Sequence, residues 1–137
     1  MLEPSCGLGR LLDVLAGQGC AQIVAIDIAR QCCEEVSRRW GGTVHCRDFL
    51  DCTPAEFGYF AAVIMNPPFH MRADIRHILH ALTFLPTGGR LAAVCFHTHH
   101  RVQALKHLCD TWEVLPRGTF AKEGTNVETV ILSITKK

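Results

Sequence analysis

The sequence predicts an α/β fold: a mostly parallel sheet with helices on both faces and an antiparallel pair of strands at one edge. Short apolar runs alternate with stretches whose apolar residues recur at three-to-four spacing, the signature of successive βα units. The last two strand-like segments have no helical stretch between them, so they are expected to pair antiparallel. The notable polar residues Glu3, Asp27, Asp48 and Asn66 sit at predicted strand ends, where open α/β sheets bind ligands.

Leu8, Leu11, Leu12 and Leu15 mark the first helix. Gln22-Ile23-Val24-Ala25-Ile26-Asp27 reads as a short strand. Ala29 to Trp40 reads as a second helix with Cys33, Val36 and Trp40 on one face. Thr43-Val44-His45-Cys46 is a brief strand, and the apolar run Phe60 to Met65 a buried one. A helix carrying Ile75, Ile78, Leu79 and Leu82 follows, and Pro86-Thr87-Gly88-Gly89 breaks it. Arg90 to Phe96 reads as a strand and Arg101 to Asp110 as a helix. Trp112 to Arg117 and Val127 to Thr135 are the final strands, joined by a loop containing Gly118 and Gly124.

At 137 residues the chain has the length of one domain with a substantial core. No apolar run approaches the roughly 20 residues that span a bilayer, and no signal peptide is visible. A net charge of +1 lacks the basic excess of a dedicated nucleic-acid binder. Any grip on nucleic acid is therefore local or supplied by a partner. Arg10, Arg38, Arg39, Arg72, Arg76 and Arg101 are scattered and read as solvated faces. The eight cysteines contain no C-x-x-C pair, and Cys32-Cys33 are adjacent, so neither zinc nor a disulfide framework is indicated. Most lie in apolar segments, where a thiol acts as a small hydrophobe. Free thiols suggest a reducing, cytoplasmic setting. The run His97-Thr98-His99-His100 lacks a further ligand at metal-binding spacing, and no metal site is expected.

The tetrapeptide Asn66-Pro67-Pro68-Phe69 is the most informative segment. Proline fixes its own φ and pushes the preceding residue out of the helical region. Asn66 is thus held in a stiff, extended corner with its amide displayed. Each proline keeps a carbonyl that accepts hydrogen bonds. The pattern suits gripping a planar amine, although Pro-Pro is also an ordinary way to end a strand. Upstream, Gly7 and Gly9 permit a tight turn before the first helix, but the third glycine of the dinucleotide fingerprint is replaced by Leu12. Asp27 closes the next strand, where an acid either holds ribose hydroxyls or caps the following helix. Asp48-Phe49 offers an acceptor and a ring for a purine, or else a loop acid beside a core aromatic.

Taken together, Leu2-Glu3-Pro4-Ser5-Cys6-Gly7-Leu8-Gly9, Asp27, Asp48-Phe49 and Asn66-Pro67-Pro68-Phe69 resemble the S-adenosylmethionine-dependent amino-methyltransferases, in particular DNA adenine N6-methyltransferases of bacteria and phages. Asp74 to Ala93, Gly118-Thr119-Phe120 and Gly124 to Thr129 extend the resemblance over nearly the whole chain. It implies a Rossmann-like class I methyltransferase fold and S-adenosylmethionine as cofactor. It also implies a cofactor-binding set of Glu3, Pro4, Ser5, Cys6, Gly7, Gly9, Asp27, Ile28, Asp48, Phe49 and Asn66, in which Glu3 meets the methionine amino group, the Cys6 to Gly9 backbone wraps that end, Asp27 binds the ribose hydroxyls, and Asp48 with Phe49 binds the adenine. Asn66 and the Pro67 carbonyl would accept both protons of the target amine, and Phe69 would stack on the target base. The implied acceptor is nucleic acid, DNA first, reached through a separate recognition subunit because no recognition element is visible within these residues.

Against the family pattern, only Met1-Leu2 precede Glu3, so the first strand is expected to be a stub without the usual upstream helix. No target-recognition domain is visible in residues 1–137, which read as a single catalytic domain. An RNA base, a protein glutamine, or no acceptor at all (a cofactor-binding partner subunit) are the alternatives.

Overall fold

The computed structural model describes residues 1–20, 22–121, 124 and 126–137. A seven-stranded sheet has the order β3-β2-β1-β4-β5-β7-β6. Its strands are β1 (Leu2–Pro4), β2 (Val24–Asp27), β3 (Thr43–Cys46), β4 (Ala62–Met65), β5 (Arg90–Phe96), β6 (Thr111–Val114) and β7 (Thr129–Thr135). The first five are mutually parallel. β7 runs antiparallel between β5 and β6. This is the Rossmann-like arrangement that the resemblance implies. The expected antiparallel pair lies at one edge, with β6 outermost.

β1 is only three residues long, yet it lies near the middle of the sheet. Leu2 pairs with Val24 on one side and Val63 on the other, and all three β1 residues are buried. Successive strand residues point to opposite faces. Ile26 thus packs with Leu2, Val63, Met65, Leu91 and Phe84 on one side, while its neighbour Ala25 packs with Cys6, Leu12 and Val36 on the other.

The helices are α1 (Arg10–Gly17), α2 (Arg30–Trp40), α3 (Pro54–Phe57), α4 (Ala73–Ala81) and α5 (His99–Leu105). Gly9, at φ 76°, turns the chain into α1. A Cβ there would come within 3.0 Å of the Arg39 guanidinium and 3.1 Å of Val36, so glycine also lets the loop close on α2. Leu8, placed on the helix by its spacing, precedes it and is 56% exposed. α2 buries Cys33 and Val36, as its periodicity predicts, and ends on left-handed Gly41. α3 is a short element that leucine-type spacing does not reveal. The predicted helix from Arg101 begins earlier, at His99, and finishes as a 3-10 turn over Lys106–Leu108.

Phe84 is fully buried, with its ring 5.3 Å from both Phe49 and His80. Phe84→Ala should lower unfolding free energy by about 3–5 kcal/mol through lost burial and a residual cavity. Urea titration followed by circular dichroism measures this; a change below about 1 kcal/mol would contradict the packing described.

All eight cysteines are free thiols. Among the described residues no helix is long and apolar enough to cross a membrane. No group of three metal-ligating side chains forms among them either. His97 instead faces Glu128 at 3.5 Å, and His100 lies 3.1 Å from Arg72. Thr125, part of the terminal motif in the sequence, lies outside the described residues.

Candidate functional site

Strands β1, β2 and β3 succeed one another to one side, and the chain then crosses back to place β4 on the other side of β1. The switch point therefore falls between β1 and β4, where a crevice opens at the carboxyl ends of the strands. Ser5 leaves β1 there and Asn66 leaves β4. Asp27 ends β2, and Asp48 follows β3. With neighbouring strands ~4.8 Å apart, these four ends span roughly 14 Å along the sheet.

Two cavities occupy this edge. One, of about 550 Å³, is lined by Ser5, Asp27, Ile28, Asp48, Asn66 and His77 among others. The second, of about 250 Å³, is lined by Glu3, Ser5, Cys6, Gly7, Arg10 and Asn66 among others. Ser5 and Asn66 border both. A larger hollow of about 860 Å³ lies around Trp40, Tyr59 and the start of β2. It is at the opposite, amino end of the parallel strands and contains none of the predicted site residues.

Asp27 organises the glycine loop. One of its carboxylate oxygens accepts from Gly7 N–H at 2.7 Å, and the other from Ala29 N–H at 2.8 Å. Each oxygen retains accepting capacity for a ligand hydroxyl. Both sequence readings meet here: the acid braces the turn into α2 and borders the cavity. Asp48 is braced similarly, accepting from Leu50 N–H at 2.9 Å through one oxygen. Ile28 is 69% exposed on the cavity rim. Phe49 is only 2% exposed, and its ring packs at 4.8 Å from His80. Only a small part of it reaches the cavity.

Glu3 is the most unusual group. It is 2% exposed, and its Oε2 is buried without a hydrogen-bond partner. Burial, then the nearby carboxylates of Asp13 and Asp27, push its pKa up from 4.5 to about 8. An orphaned buried carboxyl bordering a cavity fits a ligand that brings an ammonium group. S-adenosylmethionine carries such a group on its methionine end, so the donor set fits the cofactor implied by the sequence. Pro4 is buried in β1 beside it. Burial pushes the Cys6 thiol up to about 12, which keeps it protonated and unsuited to nucleophilic work.

Asn66 is exposed, and its amide makes no hydrogen bond among the described residues. It stands beside the glycine loop rather than in packed interior. Pro67 is buried behind it, Pro68 borders the larger cavity, and Phe69 is half-buried with its ring 4.3 Å from that of Phe96. The predicted residues Glu3, Ser5, Cys6, Gly7, Asp27, Ile28, Asp48, Phe49 and Asn66 thus come together around the two cavities. Gly9 acts one step back, through the loop's turn, and Phe69 lines neither cavity.

The methyltransferase small domain family matches residues 4–120. This chain belongs to that family. No curated protein matches the methyltransferase at sequence level. Its fold is similar to a candidate RNA methyltransferase from Pyrococcus horikoshii, at 15% identity and TM-score 0.76 over 98% of this chain and 73% of that one. An rRNA methylase from Streptococcus thermophilus aligns at 18% identity and TM-score 0.65, covering 98% and 86% of the two chains. The plantazolicin methyltransferase BpumL, in complex with a pentazolic desmethylPZN analog and SAH, aligns at 11% identity and TM-score 0.72, covering 99% and 76%. At these identities the likeness is one of fold.

Two residues of the methyltransferase escape sequence reasoning. His77, on α4, borders the larger cavity with Nδ1 3.3 Å from Ser5 Oγ. Burial lowers its pKa, which favours the neutral imidazole. Its helical spacing marks only an inward face, so nothing in the sequence sets it apart. Arg101 is read from sequence as a solvated arginine, but it is 7% exposed and ion-paired with fully buried Asp74. A buried guanidinium needs a matching carboxylate, and the partner lies too far along the chain for local spacing to reveal it.

Asp27→Ala removes the bond to Gly7 N–H together with the candidate ribose contact. Donor binding should weaken by about 10- to 100-fold, consistent with losing charge-assisted hydrogen bonds of about 1.5–3 kcal/mol. Calorimetry with S-adenosylmethionine measures it, and unaltered affinity would remove Asp27 from the binding set.

Proposed function

We propose that this methyltransferase methylates the exocyclic amine of a nucleobase, with adenine N6 in DNA as the acceptor, and that residues 1–137 act as one catalytic domain. The cofactor is S-adenosylmethionine, which supplies an electrophilic methyl on a positively charged sulfur. The observation that carries the proposal is the free Asn66 amide at the β1–β4 switch point, bordering both cavities.

The chain's residues divide the work. Glu3 and the Ser5–Gly9 loop hold the methionine end, Asp27 the ribose hydroxyls, and Asp48 with the edge of Phe49 the adenine amine. Asn66 Oδ1 and the Pro67 carbonyl accept the two N–H bonds of the target amine. An aromatic amine is a weak nucleophile because its lone pair is delocalised into the ring. Two acceptors on its protons favour a pyramidal nitrogen whose lone pair is localised. The protein then contributes alignment and preorganised dipoles. Phe69 offers a face to the base, and stacking of this kind is worth roughly 1–3 kcal/mol. A base within a duplex has to be flipped out to reach the crevice. Selection of a target sequence falls to a separate recognition element.

A base in RNA is the second reading, favoured by the candidate RNA methyltransferase and the rRNA methylase among the fold neighbours. Tritiated methyl transfer from S-adenosylmethionine, run in parallel on unmethylated DNA, transcribed RNA and protein extract, separates the readings. Label in DNA adenine supports the first and label in RNA the second. Label in protein glutamine, or donor binding without transfer, overturns both.

A further inference from the structure

We propose that Arg101 is a positioning residue for the acceptor loop, acting through the Phe69 carbonyl. This rests on the reading of Asn66 as the acceptor grip. The Arg101 guanidinium donates through Nε to Asp74 Oδ2 at 3.0 Å and through Nη2 to Asp74 Oδ1 at 3.0 Å. Nη2 also donates to the Phe69 carbonyl at 3.0 Å, and Nη1 to Thr98 Oγ1 at 3.3 Å. One planar cation thereby joins the start of α4, the corner after β5, and the last residue of Asn66-Pro67-Pro68-Phe69.

The loop needs such an anchor. Its leading end is held by β4, and the two prolines are rigid. Just past Phe69, however, Met71 and Arg72 adopt positive φ of 48° and 58°, uncommon for side-chain-bearing residues. Without a tie at Phe69, that strain can relax by swinging the tetrapeptide about the end of β4. The tie also fixes the Phe69 ring against Phe96, over whose face the guanidinium lies at 5.5 Å. The fork geometry is specific to arginine: lysine keeps the charge but cannot bridge both Asp74 oxygens, Phe69 and Thr98 together.

Four readouts test this. Arg101→Lys should lower transfer turnover by roughly 10- to 100-fold, the scale expected of a misplaced reacting group, while S-adenosylmethionine affinity by calorimetry stays unchanged. Amide hydrogen exchange should accelerate over His70–Ala73 and not over the Ser5–Gly9 loop. Because breaking one partner of a buried pair can unfold a protein, the double variant Asp74→Leu with Arg101→Met supplies a well-packed apolar replacement. It should recover the melting temperature without recovering turnover. Recovery of both would make the pair structural only and overturn the proposal. So would loss of donor binding in step with turnover, or unchanged exchange over His70–Ala73. The acceptors are unmethylated single- and double-stranded DNA and transcribed RNA. If the wild-type chain transfers to none of them, the proposed function fails, and the exchange experiment still decides whether Arg101 holds the loop.

Discussion

Asn66→Ala is expected to abolish methyl transfer and to leave S-adenosylmethionine binding intact. The amide is exposed and bonded to nothing among the described residues, so its removal costs the fold little. What disappears is one of two acceptors aimed at the target amine. Loss of a single preorganised hydrogen-bonding group lowers turnover by roughly 100- to 1000-fold in comparable sites. Here the loss should reach background, because the remaining Pro67 carbonyl cannot pyramidalise the nitrogen alone. Asn66→Asp keeps an acceptor oxygen at the same place and should retain measurable transfer. The pair of variants is read by initial rates with tritiated donor, alongside calorimetry. Full activity in Asn66→Ala would mean that the amine is bound elsewhere.

Glu3→Gln should weaken donor binding and, without donor, raise stability at alkaline pH. Between its ordinary 4.5 and about 8, the folded chain keeps a proton on Glu3 that the unfolded chain has released. The favourable contribution is therefore complete below about pH 4.5 and is lost as pH rises through about 8. Glutamine has no charge to bury, so the variant's melting temperature should fall less between pH 6 and 9 than the wild type's. Donor binding has the opposite slope. A ligand ammonium beside Glu3 favours the carboxylate, so binding releases a proton near pH 7 and tightens as pH rises towards about 8. In Glu3→Gln that proton release should vanish, and affinity should fall by about 10-fold or more, the scale of a charged hydrogen bond. Calorimetry in buffers of different ionisation enthalpy counts the protons. A wild-type chain that releases none would show that Glu3 is ionised before the donor arrives, or never meets its ammonium group.

Much of this site is legible in the sequence because each part is local. Gly9, the acid ending β2, and the proline-stiffened corner after β4 are backbone instructions that a few residues carry by themselves. β3 and β5 also have the limits that their apolar runs suggest. α3 carries a local signal too: Thr53-Pro54-Ala55-Glu56 forms a capping box with proline at the first turn. Its four residues are too few for apolar periodicity to register. The buried pairing of Asp74 with Arg101 is different in kind, since the two are 27 positions apart. Only the packing of α4 against α5 makes one the partner of the other. Phe49 shows the limit from the other direction. An aromatic beside a candidate ligand acid reads equally well as platform or core, and its neighbours His77, His80 and Phe84 are supplied by distant segments.

The placement of β7 between β5 and β6 orders the closing steps of folding. Until Thr129–Thr135 docks, β6 has no partner in the sheet, and the outer side of β5 offers unpaired N–H and C=O groups. A chain in which that strand is undocked presents open sheet edges, the state most prone to aggregate. Aggregation during refolding is accordingly expected to fall away as β7 inserts.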